Sequence, residues 1–574
     1  MDVFRKSLDR RLRGLSNRDL CVLLALVLAL IFANNVFHFS QYRINRVFDR
    51  TSESVVVGRM ARSAAEGVSA RDAALGTNFD LKRSVDSRDY DTQIRTFEHP
   101  ELIAAEANDW DPYLSQFGLQ GIFYSLLDAI NPVPRHYRIG LYHFLSALIC
   151  AAVVMWIASM VGERFGRPAL LGFVISIGFE PMFTALATNL YWVVGLWFLP
   201  MAFAMRIVDA RDRRHRLLLI AAVGAAVFVK ALCGYEFITA VVAAAMVGCL
   251  LNTQDDSFYD NLVDAVHVGL AGLAGFALAM LLHGARFSFA MIIQRALDRT
   301  TVDAASPEMG LILGQFASVA SVLRTYFGAN DYTQIRNFGV VFGLIGVIAM
   351  LAFFEAKYTW FLGEDRRRLR SLAIAYLASF VAPLSWFILA KGHAFVHTFI
   401  DFIIWYLPTM PIGGALAGLA ISELVANQKQ WTVSLRRSLV TLSAPASVAA
   451  LLALVAILDR NVDSKGAWVV AAHARATPVF ADKDIGVDFR LGDNWFTLEY
   501  VCTRISPADT FVIRASEGEA TRNYDFRAGD RAVSAPSGTG KCYFAQPRSP
   551  GALTRLEFGL DSDRRVIWRR TADL

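Results

Sequence analysis

The chain has 574 residues, of which 55% are hydrophobic and 19% charged, against about 45–50% and about 25% in an ordinary soluble protein. Both departures exclude a plain cytosolic enzyme, a disordered scaffold and a disulfide-stapled miniature domain. The formal net charge of +6, from 57 Lys and Arg against 51 Asp and Glu, sits in short patches between apolar runs. That distribution fits membrane orientation and lacks the clustered basic face that nucleic-acid binding requires.

Taken in chain order, apolar runs that approach the roughly 20 residues of a spanning helix occupy 19–39, 139–161, 168–187, 190–206, 217–233, 236–252, 264–283, 338–356, 371–390, 398–424 and 439–457. The expected fold class is an all-α polytopic membrane protein of about 11 transmembrane helices, within a range of roughly 10–13. The first run is too long for a cleaved signal, and no A-x-A-like site follows it. Basic residues set the orientation. Arg5, Lys6, Arg10, Arg11, Arg13 and Arg18 precede the first run, Arg164 and Arg167 follow the second, and Arg206 to Arg216 follow the fourth. Later clusters are Lys357 with Arg366 to Arg370, and Lys429 with Arg436 and Arg437. All share one side when the N-terminus is cytoplasmic. The loop 253–263 dissents with Asp255, Asp256 and Asp260, but acidic residues weigh little in this rule. Segments 40–138, 284–337 and 458–574 then face the other side together. The chain divides into a transmembrane module, 1–457, and an outer domain, 458–574.

Residues 52–66 read as a helix with Val56, Met60 and Ala64 on one stripe and Thr51 or Ser52 as its cap. Residues 114–130 read as a second amphipathic helix, too short and polar to span and suited to the membrane interface. The polar stretch between them, 68–100, reads as loop. Beyond 458 the composition turns β-rich at 497–503, 510–514, 541–546, 554–559 and 565–569, which predicts a small sandwich or barrel-like domain. SGTGKC at 537–542 resembles a phosphate-binding loop but has Ala535 and Cys542 where Gly and Ser or Thr are needed. Of six cysteines, only Cys502 and Cys542 lie outside apolar runs. An oxidising outer compartment predicts a disulfide between them. No CxxC or Cys/His cluster suggests structural zinc.

Charges at a membrane boundary are costly, and each is a functional candidate. Asp49, Glu53, Glu180, Lys230, Glu236, Lys391, His393, His397 and Asp401 all fall on the outer side. Asn189 and Tyr191 with Trp192, and Tyr235 beside Glu236, would suit a sugar pocket; aromatics equally anchor interfaces. Glu53 could instead be a first-turn acid favoured by the helix dipole, Asp49 a cap, and Lys230 a snorkelling side chain. His393, His397 and Asp401 recur at i, i+4, i+8, which puts them on one helical stripe. Such a stripe can contact phosphate, knit helices or hold a divalent metal. The expected cofactor is none, with metal at this stripe the lesser alternative.

The stretch FDRTSESVVVGRMARSAAEGV (48–68) after the first apolar run resembles the first extracytoplasmic loop of GT-C glycosyltransferases, the polyprenyl-phosphate-sugar-dependent membrane enzymes that include aminoarabinose transferases and protein O-mannosyltransferases. Glu53 takes the place of their acidic residue, and Arg59 and Arg62 follow on the helix. PYLSQFGLQGIFYSLL (112–127) and YRIGLYHFLSAL (137–148) resemble that family's second interfacial helix and the entry to its second span. Two departures stand out. Val56 or Val57 replaces the usual Tyr, and Gln116-Phe117-Gly118 replaces a Lys-Pro-Pro. The resemblance covers residues 19–240 and implies a bacterial-type inner membrane with the C-terminal domain periplasmic.

It also implies inverting transfer of a sugar from a polyprenyl-phosphate donor to an acceptor hydroxyl, on a glycan, a lipid-linked glycan or a protein. Glu53, with Asp49 and Glu180 as further acids, would take the proton. Arg59, Gln116, Gln120, Asn189, Tyr191, Lys230, Tyr235, Glu236, Lys391, His393, His397 and Asp401 would contact donor phosphate or substrate. Rival readings are a lipid or glycan transporter or flippase, which predicts internal repeats, and a sensor or assembly protein with a ligand-binding periplasmic domain. Membrane lipids are partners in every case, and nucleic acid in none.

Overall fold

The computed structural model describes residues 17–36, 49–78, 90–103, 110–210, 212–252, 258–300, isolated positions between 318 and 346, 364–426 and nine strands between 477 and 573. The expected spans 338–356 and 439–457 lie outside the described residues, apart from Gly346. The chain forms two compact units. The first comprises 1–297, 333–390 and 397–444; the second comprises 298–332, 391–396 and 445–574.

The first unit is mainly helical. Four of its stretches are long and apolar enough to cross a membrane: Arg135–Phe165, Arg213–Cys233, Phe258–Arg286 and Arg367–Leu389. Leu119–Ile130, Arg167–Gly178, Gly195–Ile207 and Ile238–Leu250 are shorter apolar helices. In chain order the opening elements are α1 (Asn17–Ala33), α2 (Arg50–Glu66), β1 (Leu75–Asn78), α3 (Tyr90–Glu98), β2 (Trp110–Tyr113) and α4 (Leu119–Ile130). There follow α5 (Arg135–Phe165), α6 (Arg167–Gly178), α7 (Pro181–Leu186), α8 (Gly195–Ile207), α9 (Arg213–Cys233), α10 (Ile238–Leu250), α11 (Phe258–Arg286) and α12 (Phe289–Thr300). Then come α13 (Glu364–Ser379), α14 (Val381–Leu389), α15 (Lys391–Val396), α16 (Thr398–Asp401) and α17 (Thr409–Ala426), of which α15 belongs to the second unit. Large apolar side chains stay exposed on α1 (Leu23, Leu26, Leu30), α5 (Leu141, Phe144, Leu148) and α11 (Leu270, Leu273, Leu278). Rows of this kind fit a lipid-facing surface.

Two expected spans are broken. Run 168–187 splits at Glu180, whose carboxylate accepts from the Phe183 N–H and caps α7, with Pro181 at its first position. Run 398–424 divides into α16, a 3₁₀ turn at Phe402–Tyr406 and α17. Small residues allow the closest helix contacts. A Cβ on Gly172 of α6 would collide with the Gly414 carbonyl of α17, and one on Gly275 of α11 with the Gly224 carbonyl of α9.

The segment 68–100, expected as loop, carries real structure. β1 and β2 pair antiparallel, with Leu75 opposite Tyr113 and Asn78 opposite Trp110. A buried amide network holds α2 and α3 to β1. The Asn78 N–H donates to Gln93 Oε1 at 2.9 Å, Gln93 Nε2 returns to the Asn78 carbonyl at 3.0 Å, and Arg62 Nε donates to Asn78 Oδ1 at 2.9 Å. These partners lie 15–16 residues apart, too far for any helical or strand periodicity to reveal. The second interfacial helix starts at Leu119, not 114, because Gly118 holds φ 82°.

In the second unit all strand pairs are antiparallel. One sheet runs β11-β10-β6-β7 and the other β3-β4-β5-β9-β8. Phe511 of the first meets Tyr500 of the second at 5.1 Å between ring centroids, and Val487, Phe489 and Leu498 are buried with them. Strands β5 (Trp495–Val501), β6 (Thr510–Glu517), β9 (Lys541–Pro547), β10 (Arg555–Ser562) and β11 (Arg565–Asp573) answer the five β-rich stretches. Strands β3 (Thr477–Asp482), β4 (Val487–Leu491), β7 (Ala520–Arg527) and β8 (Val533–Ser534) are additional.

Candidate functional site

The site is built around the N-terminus of α2. Asp49 sits in the left-handed region (φ 54°, ψ 57°) and caps the helix, accepting from the Ser52 N–H. The cap is thus two residues before Thr51 and three before Ser52. Its other carboxylate oxygen accepts from the Trp192 indole at 2.8 Å. Burial lifts the Asp49 carboxyl above the ordinary aspartate range. Glu53 adds to this, and the bonds from Ser52 and Trp192 oppose it.

One turn on, Glu53 is 0% exposed. Its Oε1 accepts from the Tyr90 hydroxyl at 2.9 Å and meets His143 Nε2 at 2.6 Å. Its Oε2 accepts from the Leu190 N–H at 3.0 Å. Burial and the Glu53 carboxylate hold the Tyr90 phenol well above its ordinary value, so it remains a donor. Tyr90 and His143 were not among the residues expected from sequence. The one legible signal was a histidine inside an apolar run, near the N-terminal end of α5.

The turn 189–192 carries this acidic pair to a second polar group. Asn189 Oδ1 accepts from the N–H groups of Tyr191 (2.9 Å) and Trp192 (3.2 Å), an Asx turn that fixes the loop. The Tyr191 hydroxyl lies 3.3 Å from Glu236 Oε1 and 3.3 Å from the Tyr113 hydroxyl. Gln120 Nε2 donates to the Cys233 carbonyl at 2.7 Å and the Tyr191 carbonyl at 3.3 Å. Lys230 Nζ donates to the Gly234 and Glu236 carbonyls at 2.6 and 2.5 Å. Gln116 is 1% exposed, and neither its amide nitrogen nor its oxygen finds a partner. Its oxygen and Glu236 Oε2 converge where Gly234 lacks a side chain. An orphaned buried amide costs about 1–3 kcal/mol, a cost that a polar ligand reaching Gln116 would relieve. Nearby, a cavity of about 190 Å³ is lined by Thr77, Asp111, Tyr113 and Ser115.

Trp192 stacks on Phe237 at 5.5 Å and 10° between planes, and Phe237 meets Trp386 at 5.3 Å. The Trp386 indole donates to Asp401 at 2.8 Å. Tyr235 bonds His283 Nδ1 at 2.7 Å.

Arg59 is tied to the turn that follows α2. It is buried, donating to the Ala70 carbonyl at 2.6 Å and to the Val68 carbonyl. Desolvation, with Arg286 and Arg62 nearby, pushes it down to about 10. The stripe His393, His397, Asp401 is interrupted at His397 (φ −106°, ψ 31°). Lys391 and His393 belong to the second unit, and His397 and Asp401 to the first. Among the described residues, no group of three or more His, Cys, Asp or Glu could hold a metal ion. Cys502 lies outside the described residues, so the expected bridge to Cys542 does too.

Models of protein families, curated proteins and solved structures give no match to this chain.

Proposed function

We propose that the chain is a GT-C-type membrane glycosyltransferase. It would move a sugar, with inversion, from a polyprenyl-phosphate donor to an acceptor hydroxyl at the periplasmic face of an inner membrane. The observation that carries this reading is a single turn, 189–192, that bonds both Asp49 and Glu53 on one side and Glu236 on the other. An acidic centre able to manage a proton thus adjoins a cluster of carboxylate, phenols and an orphaned amide suited to a polyhydroxylated ligand. Apolar exposed helices support a long lipid tail beside it.

In this reading the acceptor oxygen attacks the anomeric carbon as its proton passes to the Glu53 hydrogen-bond system. The carbon–oxygen bond to the lipid phosphate breaks with its electron pair. Lys230, held by the Gly234 and Glu236 carbonyls, is the cation we assign to the leaving phosphate. Gln116 and Glu236 orient sugar hydroxyls.

The test is transfer of radiolabelled sugar from polyprenyl-phosphate donors by the purified full-length protein in nanodiscs. Glu53→Gln should lower turnover by roughly 10²-fold or more, and Gln116→Leu should raise KM while leaving the fold at least as stable. Wild-type protein that transfers nothing from pentosyl and hexosyl donors alike would refute the reading.

A further inference from the structure

We infer that His143 is the group that receives the acceptor's proton and that Glu53 is its positioning residue; this rests on the glycosyl-transfer reading above. The two side chains divide the work by access. Glu53 has none of its side-chain surface open, whereas His143 keeps 16%. Both Glu53 oxygens are already committed, one to Tyr90 and His143 and the other to the Leu190 N–H. For a hydroxyl to reach this carboxylate, α2, α3, α5 and the 189–192 turn would have to part. Part of the His143 side chain is open without such movement.

The imidazole is also oriented for the task. The 2.6 Å contact joins Nε2 to Glu53. With the Nε2 proton donated to the carboxylate, the lone pair resides on Nδ1. A buried carboxylate behind one nitrogen fixes the tautomer and stabilises the imidazolium that forms when the other nitrogen takes a proton, the logic of an acid–histidine pair in nucleophile activation. Tyr90 shares Oε1 and keeps its proton, as its raised phenol requires. It holds the carboxylate in place and does not compete for the acceptor.

The step balances. The acceptor O–H bond breaks, and its proton goes to His143 Nδ1. The acceptor oxygen forms a bond to the anomeric carbon. The bond from that carbon to the phosphate oxygen breaks, and its electrons leave with the lipid phosphate. The imidazolium later returns its proton to solvent. A sealed glutamate that served as the proton acceptor itself would make His143 dispensable, and the two arrangements therefore differ in what His143 variants do.

The experiment uses the full-length protein in nanodiscs with the radiolabelled polyprenyl-phosphate sugar that wild type transfers best. His143→Ala should lower kcat by roughly 10²-fold or more with donor KM within about twofold of wild type, and added imidazole should restore part of the lost turnover. His143→Ala or His143→Gln turning over at the wild-type rate overturns the role of His143 and leaves the glycosyl-transfer reading standing. No transfer by wild type overturns that reading, and this role with it. Wild-type protein, which needs no variant to fold, supplies the second measurement. Diethyl pyrocarbonate should carbethoxylate His143, read by peptide mass spectrometry, in step with loss of transfer, and hydroxylamine should reverse both. A His143 that stays unmodified in folded protein has no accessible nitrogen, and the proposal falls.

Discussion

Replacing Asp49 by alanine removes three contributions at one position. The cap on α2 goes, at about 1 kcal/mol. The buried Trp192 indole, 2.8 Å from the carboxylate, is left unpaired, at about 1–3 kcal/mol. Alanine must also adopt φ 54°, ψ 57°, which aspartate and asparagine tolerate and alanine resists by about 1 kcal/mol. Together Asp49→Ala should cost roughly 3–5 kcal/mol. Asp49→Asn keeps the backbone preference and an oxygen for the indole but turns its NH2 toward the Ser52 N–H, and should cost about 1 kcal/mol, the cap alone. The pH dependence has a definite sign. Burial raises the Asp49 carboxyl, so the folded chain holds that proton more tightly than the unfolded chain does. The contribution is fully present below the unfolded value of about 3.9 and is lost as pH rises through the folded value. Asp49→Asn should flatten that slope. Unfolding of the purified protein in detergent, followed by tryptophan fluorescence at a series of pH values, measures all three quantities. Equal midpoints for the alanine and asparagine variants would refute the argument that Asp49 latches the 189–192 turn.

Two further outcomes are expected. Gly414→Leu should sharply reduce the yield of monodisperse protein by size exclusion, because its side chain must enter the Gly172 and Ser176 surface of α6, whereas Gly140→Ala, with open space around it, should not. Cys502 and Cys542 should be recovered as a disulfide from membranes prepared with a thiol-blocking agent: Cys542 lies opposite Tyr500 in the β5–β9 pairing, two residues before Cys502 in the chain. Closure would stabilise the domain by roughly 4 kcal/mol, and recovery of both thiols alkylated would rule the bridge out.

Periodicity and charge made much of the helical scaffold legible. Long apolar runs such as Arg135–Phe165 and Arg213–Cys233 admit few alternatives, and five β-rich stretches were located by alternation and turn residues. The failures share a cause, which is that a one-dimensional pattern cannot register a partner distant in the chain. β1 is four residues long and exists because Trp110–Tyr113 returns to pair with it. Asp49 and Glu53 were legible as acids at a boundary. Their partners Trp192, Leu190 and His143 stand 143, 137 and 90 residues away, and only the fold shows that Glu53 is enclosed. Arg59 reads as a phosphate ligand by type; in the fold its two terminal nitrogens donate to carbonyls on the turn that follows its own helix, a placement the residue type alone does not reveal. The helix break at His397, where no side chain caps the helix that follows, was hidden inside the helical stripe read over 393–401.

The glycine contact between α6 and α17 bears on how the chain is made. Gly172 and Gly414 touch backbone to backbone but are about 240 residues apart in the chain, so at about 5–20 residues per second the ribosome needs roughly 12–50 s to deliver the second after the first. During that interval the narrow face of α6 has no partner from its own polypeptide. If α6 is lodged in the bilayer by then, only lipid or the insertion machinery can cover it. A chain halted before residue 409 would leave that groove open.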